Sequence, residues 1–382
     1  MPAIVWIIFF IVFPIFIMYL CQKYTILDKI GAVVLCYAAG IIVGNINLFP
    51  ENIFQIQNMF TMITIPLSLP LLFFSMDMKS WSRLAGKSLI TFFAAIISVL
   101  GSTTLAFFLF RGQTNNNWRI PGMLIGCYTG GTPNLASIGT ALKIDPDTYV
   151  AVHASDVVMG AIYILVAMTI MPKLLKKILP AFEFKNGNSA ENIKVGFETN
   201  FTGFQKKHLK PLLTAFGLAI LIFAVGGGLS LIMPEDISMV VAILSITTLG
   251  VAASFSTKIR NIDYTFQLGY YIILVFSLVV SSMANVKDLV STAPIMLAYV
   301  TVAIFASAVI HTIFSKIFKI DADTQIVASV SFVLSPPFVP MIAAALKNKE
   351  IVVSGVIIGI LGWVVGNYIG ISYAYILKSL FT

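Results

Sequence analysis

Apolar stretches of near membrane-spanning length recur along the whole chain, and they limit the possible folds more than any other feature. Hydrophobic residues fill 58% of the 382 positions and charged residues only 10%, whereas a soluble domain carries about 25% charged residues. The mean hydropathy is +0.96. A hydrocarbon core about 30 Å thick needs about 20 apolar residues per helix. The stretches are 3–20, 30–46, 59–76, 88–110, 121–142, 149–171, 211–232, 238–255, 266–283, 293–314, 324–346 and 351–377.

A chain with this many apolar stretches must satisfy its backbone hydrogen bonds without water. Outside barrels, only helices do so in a bilayer. The sequence therefore predicts an all-α polytopic membrane protein. The first stretch has neither a basic start nor a cleavage site, so we interpret it as a retained helix. The net charge of +8 is typical of lysines in cytoplasmic loops, and we expect no nucleic-acid partner.

Motifs for catalysis or nucleotide binding do not occur in the sequence. There is no Walker A, G-x-S-x-G or H-E-x-x-H pattern, and the three cysteines and three histidines are dispersed. We therefore expect no enzyme, no structural metal site and no cofactor. Transport by such a chain would need an ion gradient of Na⁺ or H⁺.

A polar linker at 172–210 divides the chain into halves of six apolar stretches each, 1–171 and 211–382. The linker contains eight lysines, which predicts a cytoplasmic location. A weak repeat relates the halves at a shift of 204 residues, where "GGTPNLASIGTALK" at 130–143 aligns with "LSPPFVPMIAAALK" at 334–347. Helix breakers at corresponding places in two halves indicate the binding site of a secondary transporter.

The distribution of Lys and Arg indicates whether the interrupted stretches cross the membrane. If 121–142 and 324–346 are re-entrant hairpins, 19 of these cations lie inside and 5 outside; if all stretches cross, the numbers are 15 and 9. The positive-inside rule favours the hairpins. The predicted fold is thus two inverted repeats, each with five transmembrane helices and one hairpin, although crossing broken helices stay open as an alternative.

The hairpin tips carry the candidate substrate site. A tip at membrane depth exposes backbone N–H groups that attract anions and carbonyl groups that attract cations. Glycine permits close approach to the backbone, and small polar side chains add ligands or caps. The alternative is a kinked segment that only packs. The candidate substrate-binding residues are Thr129, Gly130, Gly131, Thr132, Pro133 and Asn134 in hairpin 1, and Ser335, Pro336 and Pro337 in hairpin 2.

Polar residues inside other apolar stretches are candidate ion ligands. His153 and Asp156 are three residues apart and share a helix face, and a carboxylate at this depth is functional by default. The alternative is a structural His153–Asp156 pair. Ser155 and Ser331 offer hydroxyl ligands, and we expect Asn367 to face hairpin 2.

Glycines spaced four apart predict close helix packing. They are Gly40 and Gly44 in the second stretch, and Gly355, Gly359, Gly362, Gly366 and Gly370 in the last.

Several motifs resemble a bacterial family of integral membrane proteins of unknown function, over nearly the whole chain: "YTGGTPNLASIGTAL", "FSMDMK", "HASDVVMG" and "SPPFVP". The layout is similar to that of the superfamily of cation:proton antiporters and of bile-acid, glutamate and citrate sodium symporters. This resemblance implies a homodimer whose core domain, 59–171 and 266–382, moves in an elevator fashion against a scaffold, 1–58 and 211–265. The chain departs from these relatives because it lacks a glycine pair at 335–337 and an intramembrane Asp-Asp pair.

We therefore interpret the sequence as a secondary active transporter, Na⁺-coupled, for a small organic anion or amino acid. A cation/proton antiporter that uses Asp156 is the nearest alternative. A non-transporting membrane receptor or scaffold is the alternative from another class.

Overall fold

The computed structural model of the protein describes residues 3–46, 48–50, 53–76, 86–113, 118–183, 204–348 and 350–381. All regular secondary structure within these residues is helical. Most of the linker, residues 184–203, and the end of the "FSMDMK" motif lie outside the described residues.

The helices are α1 (Ala3–Lys23), α2 (Thr25–Ile30), α3 (Ala32–Gly44), α4 (Ile53–Phe74), α5 (Lys87–Phe110), α6 (Arg119–Gly130), α7 (Thr132–Ala141), α8 (Pro146–Thr169), α9 (Met171–Leu175), α10 (Lys206–Leu231), α11 (Glu235–Ser254), α12 (Thr257–Arg260), α13 (Thr265–Ser282), α14 (Val286–Ile317), α15 (Ala322–Val333), α16 (Val339–Leu346) and α17 (Val352–Phe381). A 3-10 helix, Pro336–Phe338, lies between α15 and α16.

Nine helices in the described part of the chain are long and apolar enough to cross a membrane. They correspond to nine of the ten uninterrupted stretches that the sequence predicts as crossings. The other stretch, 30–46, forms the 13-residue α3, and 13 residues span only about 20 Å of helix. Gly31, with φ +92°, separates α2 from α3. These helices make the protein an integral, multi-pass membrane protein.

The chain forms two compact units. The first unit is Met1–Met76, Gly139–Ala154 and Gly196–Pro294; the second is Asp77–Ile138, Ser155–Val195 and Ile295–Thr382. The chain passes from one unit to the other within α7, α8 and α14.

In the first unit, α13 packs against α1, α3 and α4, and α11 packs against α4 and α10. A methyl group added to Gly40 would lie 2.4 Å from the Leu278 carbonyl oxygen, and one added to Gly44 would lie 2.2 Å from that of Ser282. These glycines therefore let the backbones of α3 and α13 touch, which confirms the predicted close packing at this pair.

In the second unit, α17 packs against α5, α6, α15 and α16, and α6 also packs against α5 and α15. Both interrupted stretches of the sequence thus meet one long helix. This arrangement positions the candidate site.

Candidate functional site

The first interruption of helical structure is at Gly131, between α6 and α7. Gly131 has φ +69° and ψ −162°, a conformation that is essentially restricted to glycine. Its N–H donates to the Cys127 carbonyl at 2.6 Å, and its own carbonyl accepts from the N–H groups of Asn134 and Leu135 at 3.1 Å. The single glycine therefore closes one helix and opens the next.

The two arms of this segment fold back on each other. A methyl group added to Gly126 in α6 would lie 2.2 Å from Cδ1 of Ile138 in α7. In an uninterrupted helix, two residues twelve positions apart would be about 18 Å apart along the axis. The segment is therefore a helical hairpin, which we call hairpin 1 (119–141), and not a kinked continuous helix.

The second interruption is at Ser335, between α15 and α16, in the segment that we call hairpin 2 (322–346). Ser335 has φ +100° and ψ +157°, in the same glycine-favouring region as Gly131. The N–H of Phe338 donates to the Ser335 carbonyl at 3.2 Å, as Asn134 does to Gly131 at 3.1 Å. The two tips therefore share one backbone conformation at the shift of 204 residues.

The far ends of the hairpins also share their backbone geometry at this shift. Lys143 and Lys347 have φ values of +52° and +57°. The N–H of the residue after each lysine donates to the carbonyl five positions earlier, at 2.9 Å in both cases: Ile144 to Gly139, and Asn348 to Ala343. The same cap also ends α14 at Lys319, so the match at the lysines is a common helix end, and the match at the tips is the one that accompanies the repeat.

The two tips meet in the second unit. A methyl group added to Gly131 would lie 2.0 Å from the Ser335 hydroxyl oxygen. One added to Gly362 of α17 would lie 2.1 Å from the Thr129 carbonyl oxygen, and one added to Gly359 would lie 2.5 Å from Cγ of Pro336. Glycines of α17 therefore let both tips lie directly against this helix, as their spacing predicts.

Side chains of hairpin 1 are already bonded within the protein. The Asn134 amide donates to the Trp363 carbonyl at 2.9 Å, and the Thr129 hydroxyl donates to the Ile125 carbonyl at 2.8 Å. Both side chains are buried, whereas Thr132, Pro133 and Ser335 are partly exposed. A ligand at the tips must exchange the buried bonds or use the partly exposed groups.

The predicted residues of hairpin 2 lie around its tip. Ser331 is buried in α15, and its hydroxyl donates to the Gly355 carbonyl of α17 at 2.7 Å. Pro336 is buried, and Pro337 continues the 3-10 helix. Ser331 and Pro336 lie at the junction with α17, and Ser331 already has a bonding partner there.

The expectation that Asn367 faces hairpin 2 is wrong for its side-chain oxygen. This oxygen accepts a hydrogen bond from Ser137 in the second arm of hairpin 1. Asn367 lies one helical turn beyond Trp363, so the face of α17 that meets hairpin 1 extends along the helix.

Asp156 lies in α8 beside the Cys127 thiol and the Tyr128 hydroxyl, near the end of the first arm of hairpin 1. Asp156 Oδ1 and the Tyr128 hydroxyl are both buried; among the described residues neither atom makes a hydrogen bond of good geometry, although Tyr128 and Cys127 are close enough to donate to the carboxylate. The neighbouring Ser155 is buried and has partners of its own. A buried carboxylate whose polar neighbours in the described part of the chain are a hydroxyl and a thiol, with no cationic side chain among them, is suited to bind a cation or a proton.

His153 belongs to the first unit, unlike Asp156. Its ring stacks on Tyr37 of α3, with ring centroids 4.5 Å apart. The two residues that share a helix face in the sequence therefore have different neighbours, and His153 contributes to the packing of the first unit.

Sequence analysis missed Tyr128, Trp363 and a buried hydrogen bond between the Tyr163 and Ser329 hydroxyls. Tyr128 directly precedes the "TGGTPN" tip, and Trp363 lies within the glycine-rich α17. Polar aromatic residues next to helix breakers are the signal that would have found the first two.

A cavity of about 380 Å³ lies in the first unit. Its wall is largely apolar and includes Phe54, Met62 and Phe276, with polar groups from Asn58 and Thr140. The exposed Lys143 also lines it, and its ammonium donates to the Glu235 carbonyl at 3.3 Å. Such a cavity fits a small molecule with an apolar body and an anionic group.

The chain is similar to an uncharacterized membrane protein, YjcL, of Bacillus subtilis (strain 168). The two are 22% identical over 369 residues, which cover 91% of this chain and 90% of the relative. Residues 9–380 match the family described as protein of unknown function DUF819. The protein of this article therefore belongs to the DUF819 family.

Proposed function

We propose that this protein is a secondary active transporter of a small organic anion or amino acid. The observation that carries the proposal is the meeting of the Gly131 and Ser335 tips against α17 in one unit. Irregular backbone at membrane depth is tolerated where it is buried in protein or lines a cavity, and in transporters it forms the substrate and ion sites.

The electrostatics of hairpin 1 support an anionic substrate group. α7 begins at Thr132, directly after the Gly131 tip, and the beginning of a helix attracts anions. The Ser335 hydroxyl lies next to this position and offers a further donor. The lysine-containing cavity of the first unit suits the same class of molecule.

Asp156 is the proposed site of the coupling ion, with Tyr128 as its neighbour. Its buried carboxylate, with only a hydroxyl and a thiol as polar neighbours among the described residues, supports Na⁺ or H⁺ as the ligand. We propose Na⁺ coupling, because a substrate anion and a sodium ion would balance each other's charge near the tips. Transport then needs no catalytic reaction and no cofactor beyond this ion.

The proposed mechanism is of the elevator type, in a homodimer of the bacterial inner membrane with the linker in the cytoplasm. The shared backbone geometry of Gly131 and Ser335 supports two repeats, and we propose that they are inverted, as in other secondary transporters. In this mechanism the hairpins and α17 carry the substrate as one body.

The first test is thermal unfolding of the purified protein in Na⁺, Li⁺, K⁺ or choline at constant ionic strength. A ligand that binds the folded state raises its stability in proportion to RT ln(1 + [L]/Kd). We expect a Na⁺-specific rise in the midpoint that Asp156→Asn abolishes. Asp263→Asn is the matched control, because the Asp263 side chain is 71% exposed. A Na⁺ response that survives in Asp156→Asn contradicts the proposed ion site.

The second test measures transport itself. Proteoliposomes with an inward Na⁺ gradient receive glutamate, citrate, succinate or pyruvate, and electrogenic currents or uptake are recorded. We expect at least one carboxylate to give a Na⁺-dependent signal that Asn134→Ala and Asp156→Asn each reduce at least tenfold. Unchanged transport in both variants would refute the site assignment.

A cation/proton antiporter is the second candidate, and it rests on Asp156 alone. It predicts Na⁺-driven proton flux in liposomes without any organic solute, lost in Asp156→Asn. A receptor or scaffold predicts neither flux nor cation response.

A further inference from the structure

A second group of buried polar side chains lies in the second unit, at the base of hairpin 2. Asp323 is in the first turn of α15, and its side chain is 6% exposed. Its Oδ2 accepts a hydrogen bond from the Asn348 amide at 3.1 Å. Asn348 follows α16 by two residues and is fully buried. A carboxylate and an amide thus face each other across the two ends of the hairpin.

Oxygen atoms at this place have unused capacity. Asn348 Oδ1 and Asp323 Oδ1 are buried and have no hydrogen-bond partner among the described residues. Asp321, two residues away, is different: it caps α15, and its carboxylate accepts from the Thr324 N–H and hydroxyl at 2.8 and 2.7 Å. Asp323 is therefore the carboxylate that is available for another ligand.

A tethered cation occupies this place in the present structure. The Lys176 ammonium lies 3.5 Å from Asp323 Oδ1, and its side chain is 52% exposed. At this distance the two groups form an ion pair, but Asp323 Oδ1 accepts no hydrogen bond. Lys176 follows α9 directly, and the nearby Pro180 carbonyl accepts from the Ala322 N–H at 3.2 Å. The start of the linker is thus held against the start of α15.

The end of α16 adds to the attraction for a cation. The C-terminus of a helix is negatively polarised, and short half-helices in transporters use this end to coordinate ions. α16 has eight residues and ends just before Asn348. One available carboxylate balances one positive charge, and the described residues include no group of three or more His, Cys, Asp or Glu side chains suited to a metal ion. A monovalent ion fits this charge.

We propose that Asp323 and Asn348 form a binding site for a monovalent cation, Na⁺, and that Lys176 occupies it as a tethered competitor. Carboxylate and amide oxygens are the ligands that hard cations prefer. Entry of Na⁺ displaces the Lys176 ammonium from Asp323, whereas the hydrogen bond between Pro180 and Ala322 keeps the start of the linker against α15. This site is separate from Asp156 and does not depend on transport.

The test uses the full-length protein with Asp156→Asn in every sample, so that the other proposed ion site is absent. Binding of ²²Na⁺ is measured by scintillation proximity, and thermal unfolding is followed in NaCl against choline chloride. Lys176→Gln should lower the apparent Kd for Na⁺ at least tenfold, because the competitor is gone. Lys177→Gln is the matched control, since it removes the same charge from the next, exposed residue and should leave the Kd unchanged.

Removal of the oxygen ligands should reverse the gain. In the Lys176→Gln background, Asp323→Asn should abolish Na⁺ binding and Asn348→Leu should weaken it at least tenfold. Asn348→Leu preserves the side-chain volume at position 348 and leaves the Asp323 carboxylate in place. It therefore tests the site even if Asp323→Asn does not fold. Equal Kd values for Lys176→Gln and Lys177→Gln, or full binding in Asn348→Leu, would overturn the proposal. A failure of the separate Asp156 test, in which Na⁺ does not stabilise the protein through Asp156, would bear only on the transport function.

Discussion

Hairpins 1 and 2 have the same backbone conformation at their tips but use different residues to hold it. Hairpin 1 has glycine at the position with positive φ, and Asn134 donates from its second arm to the Trp363 carbonyl. Hairpin 2 has Ser335 at the equivalent position, and Phe338, 40% exposed, stands where Asn134 stands. Both tips therefore require the same backbone geometry, whereas the polar contact between the second arm and α17 occurs in hairpin 1.

The two hairpins also differ in how they meet α17. At Gly362 a methyl group would meet a backbone atom, the Thr129 carbonyl oxygen at 2.1 Å. At Gly359 it would meet side-chain atoms, the Ser331 hydroxyl at 2.3 Å and the Pro336 ring at 2.5 Å. The Thr129 carbonyl moves only with its helix, whereas the Ser331 hydroxyl can rotate and the Pro336 ring can change its pucker, so we expect the contact of hairpin 1 with α17 to yield less than that of hairpin 2.

The largest expected effect tests this difference in rigidity. Gly362→Ala should destabilise the protein by about 3 kcal/mol and Gly359→Ala by about 1 kcal/mol, since overpacking costs depend on what can move. The control is Gly227→Ala in α10, where a methyl group meets nothing within 4 Å; it should be neutral or stabilise the helix by up to about 1 kcal/mol. Unfolding by SDS titration in detergent micelles measures all three. Equal losses for Gly362→Ala and Gly359→Ala would remove the distinction between the hairpins.

Substitutions at the two positive-φ positions should change stability by intermediate amounts and in opposite directions. Gly131→Ala should destabilise by about 2 kcal/mol, because the left-handed conformation is unfavourable for alanine and the methyl group meets Ser335. Ser335→Gly should stabilise by about 1 kcal/mol, since glycine adopts φ +100° without strain. The double variant should lose less stability than the sum of the two single changes, because the Ser335 hydroxyl that the methyl group at 131 would meet is gone. Strict additivity in SDS titration would show that the tips do not touch.

The smallest expected effect concerns the polar contact of hairpin 1. Asn134→Ala should cost about 1 kcal/mol through loss of its buried hydrogen bond to Trp363. The partner substitution, Phe338→Asn in hairpin 2, should change stability by less than about 0.5 kcal/mol because this side chain is partly exposed. Both are measured by the same titration. A larger loss for Phe338→Asn would reverse the assignment of polar contacts to hairpin 1.

The existence and place of the two interruptions were predictable from the sequence. Gly131 and Pro133 cannot continue a buried helix without consequence, and the aligned Pro337 lies in the 3-10 helix of hairpin 2. The positive φ of Ser335 was not predictable, because serine rarely adopts it and only the packed surroundings can enforce it. The alignment at a shift of 204 residues was the single hint.

The neighbours of the intramembrane polar residues were only partly predictable. Helix periodicity places His153 and Asp156 on one face. In the structure, however, His153 stacks on Tyr37 in the first unit, and Asp156 lies beside Tyr128 in the second. The buried contact of Asp323 with Asn348 was not predictable, because both residues lie at the ends of an apolar stretch, where polar side chains are usually interfacial.

The amino-acid sequence alone predicts a membrane protein with ten long crossing helices, nine of which lie in the described part of the chain, and it predicts the positions where helices break. These follow from local properties: hydropathy, the missing N–H of proline and the freedom of glycine. Only the tertiary structure decided which glycines of α17 meet which hairpin, that the tips touch, and that Lys176 reaches Asp323. Those contacts join residues far apart in the chain, and they depend on how whole helices pack, which no local pattern encodes.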